Sequence, residues 1–306
     1  MRGILIVNPH ATTTEDTTPE LLTRALAGLV DLDVEHTRHR GHARELAAAA
    51  DGDLVLVLGG DGAVNEAVNG VMTAVSGQAR KPLIGVIPGG GANVFARALG
   101  LPVDTQAAIS RIKDLIAAGS YRTIGLGLAG DRYFTFSAGL GMDAEVVHEV
   151  DRRRDKGSRE SASLFVRAMV HQYFRGTDRD VPALSLERED QPAEDDLFMA
   201  IVTNRSPWTY LRGRALLPVP NPDFNSGLDL LALRRLRPGT MVSAVGQMLL
   251  VRSRPPRGRH LLSVRGSTSF TVRSLRPIAF QVDGEYLGET EAVEFRFVPH
   301  AICVIA

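Results

Sequence analysis

Short apolar segments alternate with stretches of helical periodicity over the first 120 residues. Three uninterrupted apolar segments predict strands that are buried on both faces, at 4–7, 54–58 and 83–87. Apolar residues at helical spacing predict helices at 19–30, 41–50, 63–71 and through 95–99, and residues 31–35 alternate like a short strand. Strands that alternate with helices indicate a parallel sheet covered by helices.

The pattern changes near Tyr121, and from there alternating runs predominate. Six runs predict strands of a mostly antiparallel domain, at 133–136, 197–202, 228–233, 269–272, 278–282 and 293–297. Helices are predicted at 161–174 and 241–251, and polar loops at 175–194 and 252–260. The sequence therefore predicts an α/β domain followed by a β-rich domain.

Composition narrows the function classes. Lys and Arg number 35, as do Asp and Glu, so the formal net charge is zero and a dedicated nucleic-acid binder is disfavoured. The single cysteine, Cys303, excludes an internal disulfide and a cysteine-rich zinc site. No apolar run reaches 18 residues, and the N-terminus lacks a signal-peptide pattern, so we expect a cytoplasmic protein.

The strongest candidate site is the segment Gly59-Gly60-Asp61-Gly62, which joins a buried strand to a helix. Such a turn lies at the carboxyl edge of a parallel sheet, where ligands usually bind. Glycines allow backbone N–H groups to approach phosphate oxygens, and the helix directs its positive end to the same place. For Asp61 two interpretations stay open, a role with a metal or a proton, and simple capping of its helix.

A second turn of the same kind follows the next strand, at Pro88-Gly89-Gly90-Gly91, with Asn93 in the helix that follows. Two such turns on neighbouring strands would face one crevice. Neither is a Walker A motif.

Three other patterns are weaker. The segment 125–130 matches G-x-G-x-x-G, but it leads into a strand, so we interpret it as a glycine-rich turn. His36, His39 and His42 permit metal binding, but no carboxylate joins them with ligand spacing, and a solvated loop is the preferred interpretation. Asp283-Gly284-Glu285 predicts either a hairpin tip with exposed carboxylates or a turn that aims Glu285 at a site.

Taken together, these motifs resemble those of the diacylglycerol kinase catalytic-domain family, the bacterial lipid kinases related to sphingosine kinases. The resemblance covers almost the whole chain. Its nucleotide motifs match these residues: Asn8, Pro9, Thr37 with Gly41-His42-Ala43, Gly59, Gly60, Asp61, Gly62, Asn65, Glu66, Pro88, Gly89, Gly90, Gly91 and Asn93. Its late acidic motif matches Asp283-Gly284-Glu285.

The resemblance implies a two-domain kinase with an NAD-kinase- or phosphofructokinase-like fold. Residues 1–122, with a returning strand at about 299–306, would hold ATP and Mg²⁺, and a β-sandwich-like domain at 123–298 would bind the lipid. The acceptor hydroxyl would lie in the cleft between the domains. By match of position, the resemblance makes Glu285 the candidate general base, and Asp61 would organise the Mg²⁺-phosphate end.

Several positions depart from the family pattern, namely Ala63, Gly91, Val94 and Gly125. A structural Mg²⁺ site of bacterial members would correspond to Phe224, Ser226 and Leu228, with Ser226 at the carboxylate position. A cation without that charge binds weakly, so we regard this site as doubtful.

A lipid kinase meets its acceptor at a membrane, and we expect peripheral contact with the inner face. Candidate contacts are the clusters Arg152–Arg154 and Arg252, Arg254, Arg257 and Arg259, because basic residues are attracted to anionic lipid. The predicted helix at 161–174 faces either the core or a cleft. Two alternatives stay open, a kinase of a soluble acceptor resembling NAD kinase and a non-catalytic regulator that binds nucleotide or lipid. A homodimer is also left open.

Overall fold

A parallel sheet forms the centre of the first unit of the chain, which comprises Met1–Gly125 and Pro299–Ala306. The computed structural model describes residues 1–9, 11, 18–74, 81–155, 162–211, 213–221 and 223–306. The elements of this unit are β1 Arg2–Val7, α1 Thr18–Leu26, β2 Asp31–His36, α2 His42–Ala48, β3 Leu54–Gly59, α3 Asp61–Thr73, β4 Leu83–Pro88, α4 Val94–Ala98 and α5 Thr105–Ala117.

The strands of this sheet lie in the order β2-β1-β3-β4, and each neighbouring pair is parallel. Every residue of β3 and β4 is buried, as expected for apolar strands covered on both faces. The last strand of the chain, β16 Glu285–Ile305, extends the sheet beside β4, where Val304 pairs in parallel with Ile84.

The second unit, Leu126–Val298, is built on an antiparallel sheet. The division between the units falls within β5 Tyr121–Ala129. The other elements are β6 Arg132–Phe134, β7 Ser137–Gly141, α6 Met142–Asp155, α7 Ala162–His171, a π-helical turn Gln172–Gly176, β8 Leu184–Arg188, β9 Gln191–Leu197, β10 Met199–Thr203, β11 Thr209–Leu211, β12 Arg214–Leu216, β13 Leu228–Leu233, α8 Pro238–Leu250, β14 Leu261–Ser267 and β15 Ser269–Val282. The sheet order is β14-β13-β10-β7-β15-β16.

Both faces of this antiparallel sheet carry a hydrophobic core. On β13, Leu230 and Ala232 join a core with strands β8 and β15, whereas Leu231 and Leu233 join a core with helices α6, α7 and α8. The alternation places strands against one face and helices against the other. It also explains why 228–233 is almost wholly apolar although its sheet is antiparallel.

The structure differs from the sequence predictions in several places. The glycine-rich segment 125–130 is not a turn, because residues up to Ala129 belong to β5 and only Gly130 lies in the following turn. The region 175–194 is not simply a polar loop, since it contains β8 and the start of β9. Helix α6 was not predicted, because its second half is dominated by charged residues that weaken the apolar periodicity. The predicted start of the next helix, Ser161, lies outside the described residues.

Helix α6 begins with a buried acid, Asp143, which is 5% exposed. Its carboxylate accepts a 2.7 Å hydrogen bond from the Gln281 side chain. Burial raises the pKa of Asp143 from its ordinary value of 3.8 to about 7, and the hydrogen bond from Gln281 opposes that rise only in part. The folded protein therefore retains a proton on Asp143 at a pH where the unfolded chain has lost it.

This buried proton predicts a pH-dependent effect of Asp143→Asn on stability. Because the pKa of Asp143 is raised in the folded state, its contribution to the free energy of unfolding is complete below about pH 4. That contribution is lost as the pH rises towards 7. Asparagine never ionises, so at pH 8 the variant should unfold at a higher temperature than the parent. Its free energy of unfolding should exceed that of the parent by on the order of 2–4 kcal/mol. Near pH 4 the difference should almost vanish. Thermal unfolding at both pH values tests this, with Asp190→Asn in the exposed β8–β9 turn as the control; a difference that is the same at both pH values would contradict it.

Candidate functional site

The carboxyl ends of β1, β2, β3 and β4 meet at one edge of the parallel sheet. Three backbone hydrogen bonds join them there, from Asn8 to Leu58 at 2.9 Å, from Thr37 to Val7 at 2.8 Å, and from Gly89 to Gly59 at 2.9 Å. The residues that directly follow these strands, which the sequence predicts to bind a nucleotide, are therefore close together in space.

The two glycine turns touch each other. A Cβ atom built on Gly90 would lie 2.6 Å from Gly60 Cα, and one built on Gly60 would lie 3.3 Å from Gly90 Cα. The contact is between backbones, so no flexible side chain can yield to make room. Position 90 requires glycine because of this close approach and not because of its backbone dihedral angles.

Two side chains brace this contact. The Asp61 carboxylate accepts the backbone N–H groups of Val94 at 2.9 Å and Phe95 at 3.0 Å, at the start of α4. Asn93 accepts the N–H of Gly90 at 2.9 Å and donates to its carbonyl at 2.6 Å. Asp61 therefore caps a helix, as one of the two interpretations of the sequence proposed, but the helix is α4 and not its own helix α3.

Glu66 has a similar bracing role one turn further along α3. Its carboxylate accepts the N–H groups of Gly41 at 2.8 Å and Ala43 at 3.2 Å, at the start of α2. The neighbouring Asn65 is fully buried and accepts from the side chain of Asn69. The Glu66 contacts hold the start of α2, which directly follows the loop that contains Thr37, whereas the Asn65–Asn69 contact lies within α3.

The late acidic motif forms a two-residue hairpin between β15 and β16, where Val282 pairs with Glu285. Asp283 and Gly284 have φ values of 48° and 79°, the left-handed pair of a type I′ turn, for which Asp-Gly is a preferred sequence. The Asp283 side chain is 3% exposed. It accepts four hydrogen bonds of 2.7–3.0 Å, from the N–H groups of Thr135, Phe136 and Ser137 and from the Thr135 hydroxyl.

Glu285 lies on the other side of this hairpin and is not a free carboxylate. It forms a 2.8 Å ion pair with Arg132, and the two side chains are 13% and 17% exposed. The interpretation of the turn as a tip with exposed carboxylates is therefore wrong for both acids. Arg132 is the residue of this site that sequence reasoning missed. It lies 153 residues from Glu285, and no local pattern connects them.

A polar cavity of about 310 Å³ adjoins this hairpin within the second unit. Tyr286 and His148 contact each other in its wall, with ring centroids 4.1 Å apart and ring planes inclined by 39°, and Glu145 and Glu289 also line it. Burial raises the pKa of Tyr286, and the negative charges of Glu289 and Glu145 raise it further. The cavity is thus electronegative, which disfavours phosphate groups.

The doubtful Mg²⁺ site at Phe224, Ser226 and Leu228 does not fit a cation. The Asn221 amide donates to the Ser226 hydroxyl at 2.7 Å and to Asp229 at 2.8 Å, and Asp229 also accepts from Gly266 N–H at 2.9 Å. An amide donor thus faces the position where a metal would need oxygen ligands. We therefore derive no magnesium chemistry from these residues.

The histidine cluster differs from its predicted form. Ligand atoms of His39, His42 and Glu45 lie within 4.8 Å of one another, so a carboxylate does join two of the three histidines. However, Arg38 N–H donates to His42 Nδ1 at 3.1 Å, which places the proton of the neutral ring on Nε2, where a metal would bind. The exposed cluster is therefore a poor metal site.

Comparison with known proteins identifies relatives of this arrangement. Residues 2–126 match the family model of the diacylglycerol kinase catalytic domain. Diacylglycerol kinase of Bacillus subtilis (strain 168) is 27% identical over 260 residues, which span 81% of this chain and 76% of that protein. Diacylglycerol kinase of Staphylococcus carnosus (strain TM300) is 27% identical over 286 residues, which span 90% of this chain and 84% of that protein.

Solved structures share the fold. A candidate diacylglycerol kinase from Bacillus anthracis str. Sterne superposes with a TM-score of 0.75 at 22% identity, over 99% of this chain and 96% of that one. An NAD kinase from Archaeoglobus fulgidus in complex with ATP superposes with a TM-score of 0.53 at 12% identity, over 100% and 94% of the two chains. These likenesses confirm the predicted fold class. The family model and the curated relatives confirm the resemblance to the diacylglycerol kinase catalytic-domain family that the motifs of the sequence indicate.

Proposed function

We propose that this protein is an ATP-dependent lipid kinase, which transfers the γ-phosphate of ATP to a hydroxyl of diacylglycerol or a related lipid. The observation that carries the proposal is the contact between the two glycine turns at Gly60 and Gly90. The relatives in Bacillus subtilis and Staphylococcus carnosus, both named diacylglycerol kinase, favour a lipid as acceptor.

The glycine turns suit a polyphosphate because phosphate can approach their backbone without meeting side chains; the N–H groups of Gly89 and Gly90 already bond within the protein, so the contacts would come from other N–H groups of the turns. Phosphoryl transfer depends on positioning and charge neutralisation more than on covalent help. Backbone N–H groups and Mg²⁺ supply that neutralisation when the nucleotide is bound. Asp61 is the carboxylate at the contact of the two turns, so we assign to it the Mg²⁺-phosphate end. Asn8, Pro9 and Thr37 follow the neighbouring strands and would contact the rest of the nucleotide.

A methyl group at Gly90 should separate the two turns and weaken nucleotide binding. The new Cβ would overlap the backbone of Gly60, and displacements near 1 Å in a binding site commonly cost about 10²-fold. We expect Gly90→Ala to raise the Kd for ATP at least about tenfold, measured by calorimetry with Mg²⁺ present. Gly246→Ala is the control, because its Cβ would enter open space on α8. Equal ATP affinity in both variants would remove the glycine turns from the nucleotide site.

Glu285 is the proposed general base for the acceptor hydroxyl. The oxygen of the alcohol forms a bond with the γ-phosphorus, the bond to the leaving ADP oxygen breaks, and the proton of the alcohol passes to Glu285. The type I′ turn and the Arg132 ion pair support this role, because together they hold the carboxylate in one orientation. Asp283 does not suit the role, since four donors already surround its buried carboxylate.

Glu285→Gln should lower kcat roughly 10²- to 10⁴-fold, the usual contribution of general base catalysis. Glutamine still accepts a hydrogen bond from Arg132, so the melting temperature and the ATP affinity should change little. Asp283→Asn is the matched comparison at the same turn. Its amide would direct N–H groups towards backbone N–H donors, and we expect a loss of roughly 1–3 kcal/mol in the free energy of unfolding. Full turnover by Glu285→Gln, with a lipid that the parent phosphorylates, would place the base elsewhere.

The membrane contact is best supported at the end of α8. Residues 252, 254, 257 and 259 are exposed arginines, and no acidic side chain in the described part of the chain pairs with them. Gln247 holds their loop against α8 through two hydrogen bonds to Arg257, of 2.9 and 3.0 Å. Leu250, at the end of α8, is 75% exposed. An apolar residue beside unpaired arginines suits an anionic lipid surface.

The other predicted contacts are weaker. Arg152 and Arg153 both bind the buried Glu149, and Leu164 and Ala168 of α7 face the core. None of the helices in the described ranges combines the length and the apolar character that a bilayer crossing requires. Peripheral binding through the loop after α8 is therefore the form of membrane contact that we propose.

Removing two charges from this loop should weaken binding to anionic vesicles. Each arginine near such a surface contributes about 1 kcal/mol, so Arg254→Gln with Arg257→Gln should lower the partition coefficient roughly 30-fold at low salt. The control is Arg273→Gln with Arg276→Gln, because these exposed arginines already pair with Glu187 and Asp178. Flotation with phosphatidylglycerol vesicles at two salt concentrations measures the effect. Binding that ignores both the substitutions and the salt would contradict this surface.

One experiment tests the proposed function against its alternatives. The protein is incubated with labelled ATP, Mg²⁺ and a panel of diacylglycerol, other lipid alcohols and NAD. A labelled lipid supports the proposal, and a labelled NAD product supports a kinase of a soluble acceptor. Nucleotide binding without any labelled product supports a regulator.

A further inference from the structure

Asp143 is a buried acid that the proposed chemistry does not use. Its carboxylate lies against the backbone of Gly139 in β7, where an added Cβ would be 1.6 Å from Asp143 Oδ2. Residue 139 must therefore lack a side chain for this carboxylate to sit where it does. Among the described residues, its hydrogen-bonding partner is the side chain of Gln281.

Gln281 connects Asp143 to the hairpin. It is 1% exposed and lies opposite Gly139 in the β7–β15 ladder. Its Nε2 donates to Asp143 Oδ2 at 2.7 Å, and its Oε1 accepts the N–H of Gly284 at 2.9 Å. Both ends of one buried amide are thus occupied, one by the acid and the other by the turn.

The orientation of the Gln281 amide depends on Asp143. A primary amide has a donor end and an acceptor end, and it can rotate by 180°. An acceptor at Asp143 attracts the NH₂ end of Gln281, so the carbonyl end must point to Gly284, whose N–H needs an acceptor. Without that acceptor, the orientation that serves Gly284 is no longer selected.

We propose that Asp143 is a positioning residue, which acts through the side chain of Gln281 to fix the Asp283-Gly284 turn and thereby the carboxylate of Glu285. Contacts that hold the hairpin tip include those of Asp283 with the segment 135–137, of Arg132 with Glu285, and of Gln281 with Gly284. The last of these connects the tip to a second buried side chain, that of Asp143. The catalytic part of this inference rests on the proposed function of Glu285; the structural part does not.

The test compares Asp143→Ala, which removes the acceptor, with Asp143→Asn, which keeps one. Amide hydrogen exchange at Gly284, measured by NMR on the folded full-length protein, should accelerate at least about tenfold in Asp143→Ala and change less than about threefold in Asp143→Asn. Gln281→Met provides a second route if Asp143→Ala folds poorly, since it removes both bonds with an unbranched side chain of similar length. It should accelerate exchange at Gly284 as well. Asp190→Asn is the control that should leave exchange and activity unaltered.

Kinetics separate positioning from direct chemistry. With a lipid that the parent phosphorylates, Asp143→Ala should lower kcat about 10- to 100-fold with an unchanged KM for ATP, and Asp143→Asn should restore most of that loss. The proposal would be overturned if Asp143→Asn were as inactive as Asp143→Ala while the N–H of Gly284 stayed protected from hydrogen exchange, because the carboxylate itself would then be needed. Unaltered exchange at Gly284 in both Asp143→Ala and Gln281→Met would overturn it too. If the parent phosphorylates no lipid, the proposed function fails, and hydrogen exchange alone still decides whether Asp143 fixes the turn.

Discussion

The close approach of Gly60 and Gly90 is the constraint on which the candidate nucleotide site depends. Two backbones in van der Waals contact leave no room for a Cβ atom, and the strand ends on either side are tied by the Gly89–Gly59 hydrogen bond. Because no side chain can fill this contact, groups outside it must hold the two turns rigid. Asp61 and Asn93 do so from outside the contact, by binding the backbone of the next helix and of the Gly90 turn.

Two of the departures from the family pattern lie outside this bracing arrangement. Gly91 is exposed, Ala63 is half-buried, and neither of them makes the bracing hydrogen bonds. The residues that do make them, Asp61, Glu66 and Asn93, match the pattern. A side chain that acts through a defined pair of hydrogen bonds is harder to replace than one that only lines a surface, because its loss leaves buried N–H groups without an acceptor.

Local sequence patterns predicted those parts of the structure that local physics determines. Wholly apolar runs indicated β3 and β4, and Asp283-Gly284 indicated a tight turn because few other pairs accept two left-handed residues. Two of the failures depend on contacts distant along the chain. Residues 191–197 are mostly polar, yet they form a strand because they pair with β8, which pairs in turn with the distant strand β15. Arg132 could be assigned to Glu285 only once the fold brought them together.

The two acids of the hairpin show how a two-residue turn divides structural from chemical roles. Asp283, in the turn itself, points inward, and its short side chain reaches three consecutive N–H groups that would otherwise be buried without acceptors. Glu285, the first residue of the next strand, forms an ion pair with Arg132. The longer glutamate extends away from the backbone, whereas the shorter aspartate is held by it. Exchange of the two side chains would therefore abolish both roles, because a glutamate at 283 overfills the cage of N–H groups and an aspartate at 285 falls short of Arg132. In this turn the commitment of Asp283 to the fold fixes the backbone from which the carboxylate of Glu285 extends.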